Sequence, residues 1–508
     1  MGRAREIADL IGGTTPDIIL KTSDGAILNL QTSDTTVTAD SVLGAINFQA
    51  PDEASGTDSI LIASKIEAVA EDTFAADNNK TKLVFSTGAS AAADSKFEIA
   101  SDGSVSTPTA GTNNLRLGAN AGNSIASGGN ENTLIGDEAG TALTTGDQNV
   151  AIGFEALKTE DAHGRNIAIG YQALKVLDAG ANGFNTVIGY QAGVTMNTGV
   201  VNTLIGYQAG DALTTGNNNV AIGHEALGAE VQGDQNVAVG VGALQAQSNS
   251  TDADADNTAV GYNAGIAVTT GVQNVLIGKG AGDALTDADF NVAIGTDALT
   301  ADTLGSRSVA IGRRTLHAQN FTTATDTHNT AVGFEAGNDI TTGVQNTLIG
   351  SQAGDAITEA DENVAVGYNA LSVNTVGSQS VAVGHNALLF QNPTTATDMQ
   401  NTAVGYGVGA QITTGTFNTL MGGVAGDALT TGSNNVAIGR ASLSADTLGS
   451  NSVAIGRNAL IVQNFTTATD ADNTAVGDKA GTAVTTGTNN TLIGTEAGLN
   501  LPSGSNNT

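Results

Sequence analysis

The sequence predicts an all-β fold: a parallel β-roll or β-solenoid of about 22 coils, preceded by a small β-rich region. A five-residue motif recurs 22 times, and most copies follow one another with a 17-residue step, as from Gly136 to Gly153. Every fourth step in the later part of the chain is longer, as from Gly240 to Gly261, which creates a 72-residue super-repeat. Self-similarity sustained over this length indicates a stack of equivalent structural units.

Composition narrows the class of protein. The 508 residues include 66 glycines but only five prolines, no cysteine and 4% aromatic residues, and the net charge is −32. Scarce proline excludes collagen, and the lack of cysteine excludes disulfide bonds and thiolate metal sites. The negative charge argues against nucleic acid as a partner. The sequence contains no apolar run of spanning length and no signal-peptide pattern, so we expect neither membrane insertion nor Sec export.

Most copies of the motif read Asn, then Val or Thr, then Ala or Leu, then Ile or Val, then Gly. The first position is Asn in 19 copies and Ser in three. We predict a structural role for the motif residues. Representative positions are Asn149, Ile152, Gly153, Asn202, Gly206, Asn274, Gly278, Asn346, Gly350, Asn418, Gly422, Asn490 and Gly494.

The two β-branched positions lie two residues apart and therefore share one face of a strand, while the Ala or Leu between them points the other way. The glycine ends the strand in a turn. An alanine three residues later is predicted to start a second short strand, so that one coil holds two strands and two turns. The Asn side chains either form a ladder along the stack or start the strand from a turn, and both alternatives are structural.

A single coil of this length encloses only small side chains, so the core of one chain is thin. Burial of the β-branched face against two further copies of the chain, around one axis, would remedy this. Since stacked strands rise roughly 4.8 Å per coil, 22 coils predict a rod on the order of 100 Å long.

The repeats resemble a known family. Residues 308–312 and 452–456 both read Ser-Val-Ala-Ile-Gly, which is similar to the head repeats of trimeric autotransporter adhesins. The resemblance covers residues 113–508, the predicted β-roll shaft, and implies a left-handed roll in a homotrimer.

The first part of the chain resembles a different class. Residues 35–44 and 48–58 are similar to the leader of tail fibre proteins from marine bacteriophages, which implies assembly in the host cytoplasm and a place in the virion tail. Residues 1–30 are then a tail-attachment segment, a helix followed by a strand, and residues 31–112 a small β-rich domain. Arg3 and Arg5 are candidates for docking onto tail, baseplate or adaptor proteins, with simple solvation as the alternative.

The last residues, Asn507 and Thr508, open a further motif copy. We therefore expect a distal receptor-binding tip to lie in a region that this chain does not contain. The first-choice function is a tail fibre shaft that joins the tail to a tip for the host surface. A bacterial surface adhesin is the alternative, and an ice-binding solenoid is less favoured because Thr-Thr-Gly turns occur in only some coils.

Residues typical of chemical sites are few. The five histidines have no zinc-ligand spacing, and residues 252–257, rich in Asp, lack the Gly and Glu of an EF-hand, so calcium is a minor alternative there. We expect no enzyme activity and no cofactor. Inserts in the longer coils, such as residues 319–325 and 463–469, are predicted to form a row of bumps. They serve either as spacers between protomers or as receptor contacts.

Overall fold

In a computed structural model, the described residues are 28–49, 61–88, 93–249 and 254–508, and they contain strands and turns but no helix. The chain divides into two compact units, Met1–Arg116 and Leu117–Thr508. The predicted boundary after residue 112 lies close to this division. The predicted helix over 3–11 falls outside the described residues, as do residues 26 and 27 of the strand predicted over 26–30, and residues 28–30 are not in a strand.

The first unit holds a five-stranded antiparallel meander whose strands follow one another in sheet order. In this sheet Ile46 pairs with Ile66, Ile66 with Phe85 and Phe85 with Phe97, so one row of apolar residues crosses four strands. This confirms the predicted β-rich region. Its strands are β1 (Val42–Gln49), β2 (Ile62–Ala70), β3 (Thr81–Thr87), β4 (Asp94–Ile99) and β5 (Val105–Ser106).

The solenoid is built on 22 strands of three residues each, one per motif copy; the first strand spans the boundary between the two units and the others lie in the second unit. They are β6 (Leu115–Leu117), β7 (Thr133–Ile135), β8 (Val150–Ile152), β9 (Ile167–Ile169), β10 (Thr186–Ile188), β11 (Thr203–Ile205), β12 (Val220–Ile222), β13 (Val237–Val239), β14 (Thr258–Val260), β15 (Val275–Ile277), β16 (Val292–Ile294), β18 (Val309–Ile311), β20 (Thr330–Val332), β21 (Thr347–Ile349), β22 (Val364–Val366), β24 (Val381–Val383), β26 (Thr402–Val404), β27 (Thr419–Met421), β28 (Val436–Ile438), β30 (Val453–Ile455), β32 (Thr474–Val476) and β33 (Thr491–Ile493).

These strands stack in parallel and in register. Thr186 pairs with Thr203, and Ile188 pairs with Ile205, its counterpart in the next motif copy. The same residue-to-residue pairing recurs up to the last strand, where Thr474 pairs with Thr491. The prediction of a parallel β-solenoid of about 22 coils with a 17-residue step is therefore confirmed.

The middle residue of each strand points into the coil. From β7 onward this Ala, Leu or Val is buried, while the two outer residues of each strand remain partly or well exposed. One continuous apolar core links the coils, from Ala121 to Leu492. The predicted division of strand residues between an inner and an outer face is confirmed.

The predicted second strand after the motif glycine is wrong. The residues that follow the glycine form turns in every copy. The reason lies in the backbone: the second and fourth residues after Gly153, Glu155 and Leu157, have φ of 55° and 50°. Such left-handed conformations bend the chain and are incompatible with an extended strand.

The motif glycine is required for stacking as well as for turning. Gly153 has φ of +136°, and a Cβ built on it would lie 2.2 Å from the carbonyl oxygen of Gly170 in the next coil. No other residue type tolerates both that dihedral angle and that approach. The close approach of successive coils therefore explains why all 22 motif copies have glycine at this position.

The super-repeat of four coils is a packing period. Where the middle strand residue is Leu, the fourth residue after the glycine is Gly, as in the pair Leu276 and Gly282. The coil with Ala259 and Gly265 has no leucine at either of these two positions. A Cβ on Gly265 would meet Leu244 at 3.0 Å and Leu276 at 2.6 Å. Leucines from the two adjacent coils thus fill the coil that lacks one, which keeps the interior close-packed.

Among the described residues, three of the longer coils each add a two-stranded parallel pair. Each pairs a turn of the preceding coil with the end of an insert, and exposed residues of the insert (Thr322, Thr323 and Ala324 in the first) lie just before the second strand. The pairs are β17 (Gly305–Ser306) with β19 (Thr325–Asp326), β23 (Gly377–Ser378) with β25 (Thr397–Asp398) and β29 (Gly449–Ser450) with β31 (Thr469–Asp470).

Candidate functional site

The outward-pointing strand residues of the solenoid sheet include no charged side chain. Two residues of each of the 22 strands point outward, which gives 44 positions, and all are Val, Ile, Thr, Leu or Met. Ile349 and Met421 on this face are 40% and 46% exposed. In a chain of net charge −32, an uncharged and largely apolar surface of this length is a candidate interaction face.

Aromatic rings line one edge of this face. The residue directly after the motif glycine is Phe154, Tyr171, Tyr190, Tyr207 and His224 in five successive coils. Their ring centroids are 5.3, 5.1, 5.3 and 5.0 Å apart, with interplanar angles between 5° and 19°. We call these five residues the aromatic row. The four Phe and Tyr side chains of the row are 39–45% exposed.

A second, shorter row lies farther along the stack. Tyr368, His385 and Tyr406 are separated by 5.3 and 5.2 Å. Between the two rows the same position holds Arg313, whose guanidinium lies 5.6 Å from the ring of Phe334, an arrangement typical of a cation–π contact.

A ladder of amide side chains runs beside the aromatic row. Gln172 Nε2 donates to Glu155 Oε2 (2.7 Å), Gln191 Nε2 to Gln172 Oε1 (3.0 Å) and Gln208 Nε2 to Gln191 Oε1 (3.5 Å). Lys158 and Lys175 contact the Glu155 carboxylate at 2.7 Å each. Hydrogen bonds from Lys158, then Lys175 and Gln172, lower the pKa of Glu155 to about 2. The charge at this end of the ladder is therefore compensated.

The motif asparagines form a buried ladder along the whole stack, which confirms the ladder alternative. The backbone N–H of Asn149 donates to Asn132 Oδ1 (2.9 Å), and Asn166 N–H donates in turn to Asn149 Oδ1 (3.0 Å). Asn149 Nδ2 donates to the carbonyl of His163 in the next turn. The side chain therefore links the start of one strand to the following coil.

The other predicted asparagines make the same contacts. The N–H of each donates to the Oδ1 of the preceding ladder residue at 2.8–2.9 Å, and its Nδ2 donates to a carbonyl of the following coil at 2.8–3.0 Å. These residues are Asn202, Asn274, Asn346, Asn418 and Asn490. Their role is to satisfy buried backbone groups, which are costly when unpaired.

Where Ser replaces Asn, a buried glutamine completes the ladder. Gln319 Nε2 donates to Ser308 Oγ (2.8 Å), and Asn329 Nδ2 donates to Gln319 Oε1 (2.9 Å). Gln391 and Gln463 repeat this arrangement at the other two serines. The inserts of the longer coils therefore begin with a core residue, a role that the sequence did not reveal.

Buried carboxylates accompany these glutamines. Asp302, which is 0% exposed, accepts hydrogen bonds from the N–H groups of Gly305 and Phe321 and from Gln319 Nε2. Burial raises the pKa of Asp302, and the Gln319 hydrogen bond acts in the opposite direction. Asn374 stands at the equivalent position one super-repeat later and is also buried, which indicates that hydrogen bonding rather than charge is what this position needs.

A row of half-buried aspartates marks every fourth coil. Burial raises the pKa of Asp211, Asp283, Asp355 and Asp427. For Asp355, with the nearby Asp339 and Glu335 adding to the effect, the pKa reaches about 6. The Oδ1 atoms of Asp283, Asp355 and Asp427 are buried without a hydrogen-bond partner, so protonation of these groups relieves an electrostatic cost.

One set of metal-type ligands occurs among the described residues. Atoms of Glu160, Asp161, His163 and Asp178 lie within 4.8 Å of one another. The buried Glu160 carboxylate is already satisfied, since it accepts hydrogen bonds from His163 N–H (3.0 Å), His163 Nδ1 (3.2 Å) and Ala179 N–H (3.2 Å). In the acidic loop for which calcium binding was an alternative, Asp254 pairs with Asp234 through a parallel β-bridge.

The remaining predicted residues divide as follows. Ile152 lies on the outer face, and the predicted glycines form a column along the stack. Arg3 and Arg5 lie outside the described residues. In the part of the chain that the structure describes, no helix has the length and apolar character needed to span a bilayer.

Sequence reasoning missed the aromatic row, although a signal was present. All six tyrosines of the chain directly follow a motif glycine, and a residue type confined to one repeat position must form a line along a stack. In comparison with known proteins, no family model, no curated protein and no solved structure matches the chain.

Proposed function

We propose that this chain is the rigid shaft of a homotrimeric fibre, a tail fibre that connects a virion tail to a host-recognition tip. The observation that carries the proposal is the outer sheet face, where 44 outward positions bear no charge in a chain of net charge −32. A surface of this kind is suited to burial against other copies of itself.

The size of the face supports this. With 22 strands at roughly 4.8 Å and two residues of roughly 3.3 Å per strand, the face spans on the order of 700 Å². A standard protein interface covers about 800 Å² on each partner, so the face is close to one such interface in size, and in a trimer each chain divides it between two neighbours. A cyclic arrangement of three chains closes the face and leaves the acidic turns in solvent, where they keep a long rod soluble.

The assignment to a virion tail draws on the resemblance of residues 35–44 and 48–58 to tail fibre leaders. Within that proposal the N-terminal region docks onto the tail, and a distal region carries the receptor contact. The same trimeric rod would also serve a bacterial surface adhesin. Electron microscopy of virions labelled with antibody against this chain tests the assignment: label on the tail supports it, and label on host cells alone supports the adhesin.

The trimer is tested by solution mass. Light scattering of the purified chain should give three times the chain mass. Ile349→Lys places a charge on the outer face and should dissociate the trimer, because a buried unpaired charge is costly. Thr342→Lys, at a turn of the same coil, is the matched control and should leave the mass unchanged. A stable, soluble monomer of the unmodified chain contradicts the proposal.

A further inference from the structure

We propose that the aromatic row is a lateral binding strip for a neutral, extended polysaccharide that lies along the axis of the stack, with about one sugar unit per coil. This goes beyond a role as a shaft, because it gives the shaft a ligand of its own.

Spacing is the first argument. The rings of the aromatic row repeat every 5.0–5.3 Å, which is the separation imposed by neighbouring strands. In extended β-1,4-linked polysaccharides successive sugar rings are separated by nearly the same distance. Successive units of such a chain are flipped over relative to one another, so each unit can meet an equivalent set of side chains with alternate faces of the sugar ring. An extended peptide, with its shorter repeat, cannot keep this register.

The groups that the strip exposes are the second argument. Because the rings stack face to face, they present ring edges and the phenol hydroxyls of Tyr171, Tyr190 and Tyr207 to solvent. The ladder formed by Gln172, Gln191 and Gln208 lies next to them. Hydroxyl and amide groups beside apolar ring edges match the hydroxyl rim and the apolar C–H face of a pyranose.

Charge is the third argument, and it selects a neutral ligand. From β8 to β14, the residue after the glycine gives seven positions without Asp, Glu, Lys or Arg. At the start of the ladder, the Glu155 carboxylate is compensated by Lys158 and Lys175. At its far end, the Glu225 carboxylate accepts a hydrogen bond from Gln245 Nε2 and lies 3.9 Å from His224 Nε2. An anionic polysaccharide would gain nothing here and would be repelled by the net charge of −32.

Length dependence gives the sharpest test. Cello-oligosaccharides of two to seven units are titrated into the full-length chain by calorimetry. Affinity should rise up to five units, because five rings form the row, and then level off. Absence of binding at every length, or a rise that continues evenly to seven units, overturns the proposal.

Variants locate the site. Tyr190→Ala, in the centre of the row, should weaken binding of the five-unit sugar by about tenfold or more, and Tyr190→Phe by roughly two- to tenfold through loss of a hydroxyl contact. Tyr262→Ala is the matched control, since Tyr262 holds the same repeat position between Val241 and Lys279, and it should bind as the unmodified chain does. Equal weakening by both alanine variants overturns the proposal.

Solution mass is measured in parallel for Tyr190→Ala. An unchanged mass with weakened sugar binding supports the strip. A changed mass together with no sugar binding by the unmodified chain assigns the row to a contact between protomers and overturns the strip, while leaving the shaft function intact.

Discussion

The meander and the solenoid are both β structure, yet they are ordered in different ways. Strands β1 to β4 are six to nine residues long and pair with their chain neighbours in antiparallel fashion. The solenoid strands have three residues and could not persist alone. Their order comes from repetition, since each glycine, asparagine and core residue contacts its own counterpart in the next coil. Equivalent substitutions should therefore cost far more in the solenoid than in the meander.

The largest contrast is expected at glycine. Gly153→Ala should destabilise its coil by roughly 3 kcal/mol or more, because the new Cβ meets a backbone oxygen of the next coil at 2.2 Å. Gly103→Ala, at φ of +85° with no atom within 4 Å of the Cβ, should cost only about 1 kcal/mol from backbone strain. Hydrogen exchange of the affected segments measures both, and equal losses would contradict the contrast.

A smaller contrast is expected at asparagine. Asn346→Ala removes an acceptor for Asn363 N–H (3.0 Å) and a donor to the Ala360 carbonyl (2.8 Å). Two buried backbone groups lose their partners, so we expect a loss of about 2–4 kcal/mol. Asn78→Ala in the meander removes exposed bonds to Asp72 (3.0 Å) and to the Thr73 carbonyl (3.2 Å). Because water can replace both, the loss should be less than about 1 kcal/mol. Urea unfolding monitored by circular dichroism provides the measurement.

One aspartate in each unit should make the stability of its unit change with pH, and the two changes should have opposite signs. Burial raises the pKa of Asp355 from 3.8 to about 6, so the folded solenoid gains stability as pH falls from 7 through 6 towards 4. Asp355→Asn should remove about 1 kcal/mol of that pH dependence, since partial exposure to solvent screens the interaction.

In the meander, hydrogen bonds from Ser104 lower the pKa of Asp102 below 3.8. Its contribution is therefore present above pH 4 and is lost as pH falls through the lower folded value. Asp102→Asn should flatten the acid limb of the stability curve, which is the reverse of the effect at Asp355. Thermal unfolding between pH 3 and 7 distinguishes the two, and curves that change in the same direction would contradict the assignment.

At exposed ion pairs the contrast should vanish. Arg457 contacts Asp478 at 2.8 Å in the solenoid and Lys96 contacts Asp94 at 3.8 Å in the meander. Arg457→Ala and Lys96→Ala should each change stability by about 0.5 kcal/mol or less, because solvent screens such pairs. A loss at Arg457 several times that at Lys96 would show that surface charges also participate in the order of the stack.

Much of the solenoid was predictable because its sequence repeats. Strand positions, the inward Ala or Leu and the asparagine ladder follow from the alternation of faces within each strand and from the constant step between strands. The second strand was predicted wrongly, although Gly265 and Gly282, at the fourth position after a motif glycine, were a signal for a left-handed backbone there. Glu155 and Leu157 themselves gave no such signal, since neither residue type favours that conformation. Gln319 was not recognised as a core residue, because its partners, Ser308 and Asp302, are brought to it only by stacking.

The filling of each coil by leucines from its neighbours has a consequence for how such a chain changes length. Loss of a single coil, such as the one with Leu276, would leave the space beside Gly265 half empty. The resulting cavity would lower the stability of the solenoid. Loss or gain of a complete block of four coils brings matching surfaces together again. Gene rearrangements that shorten or extend this protein should therefore survive in units of four coils, and natural variants should differ in length by whole super-repeats.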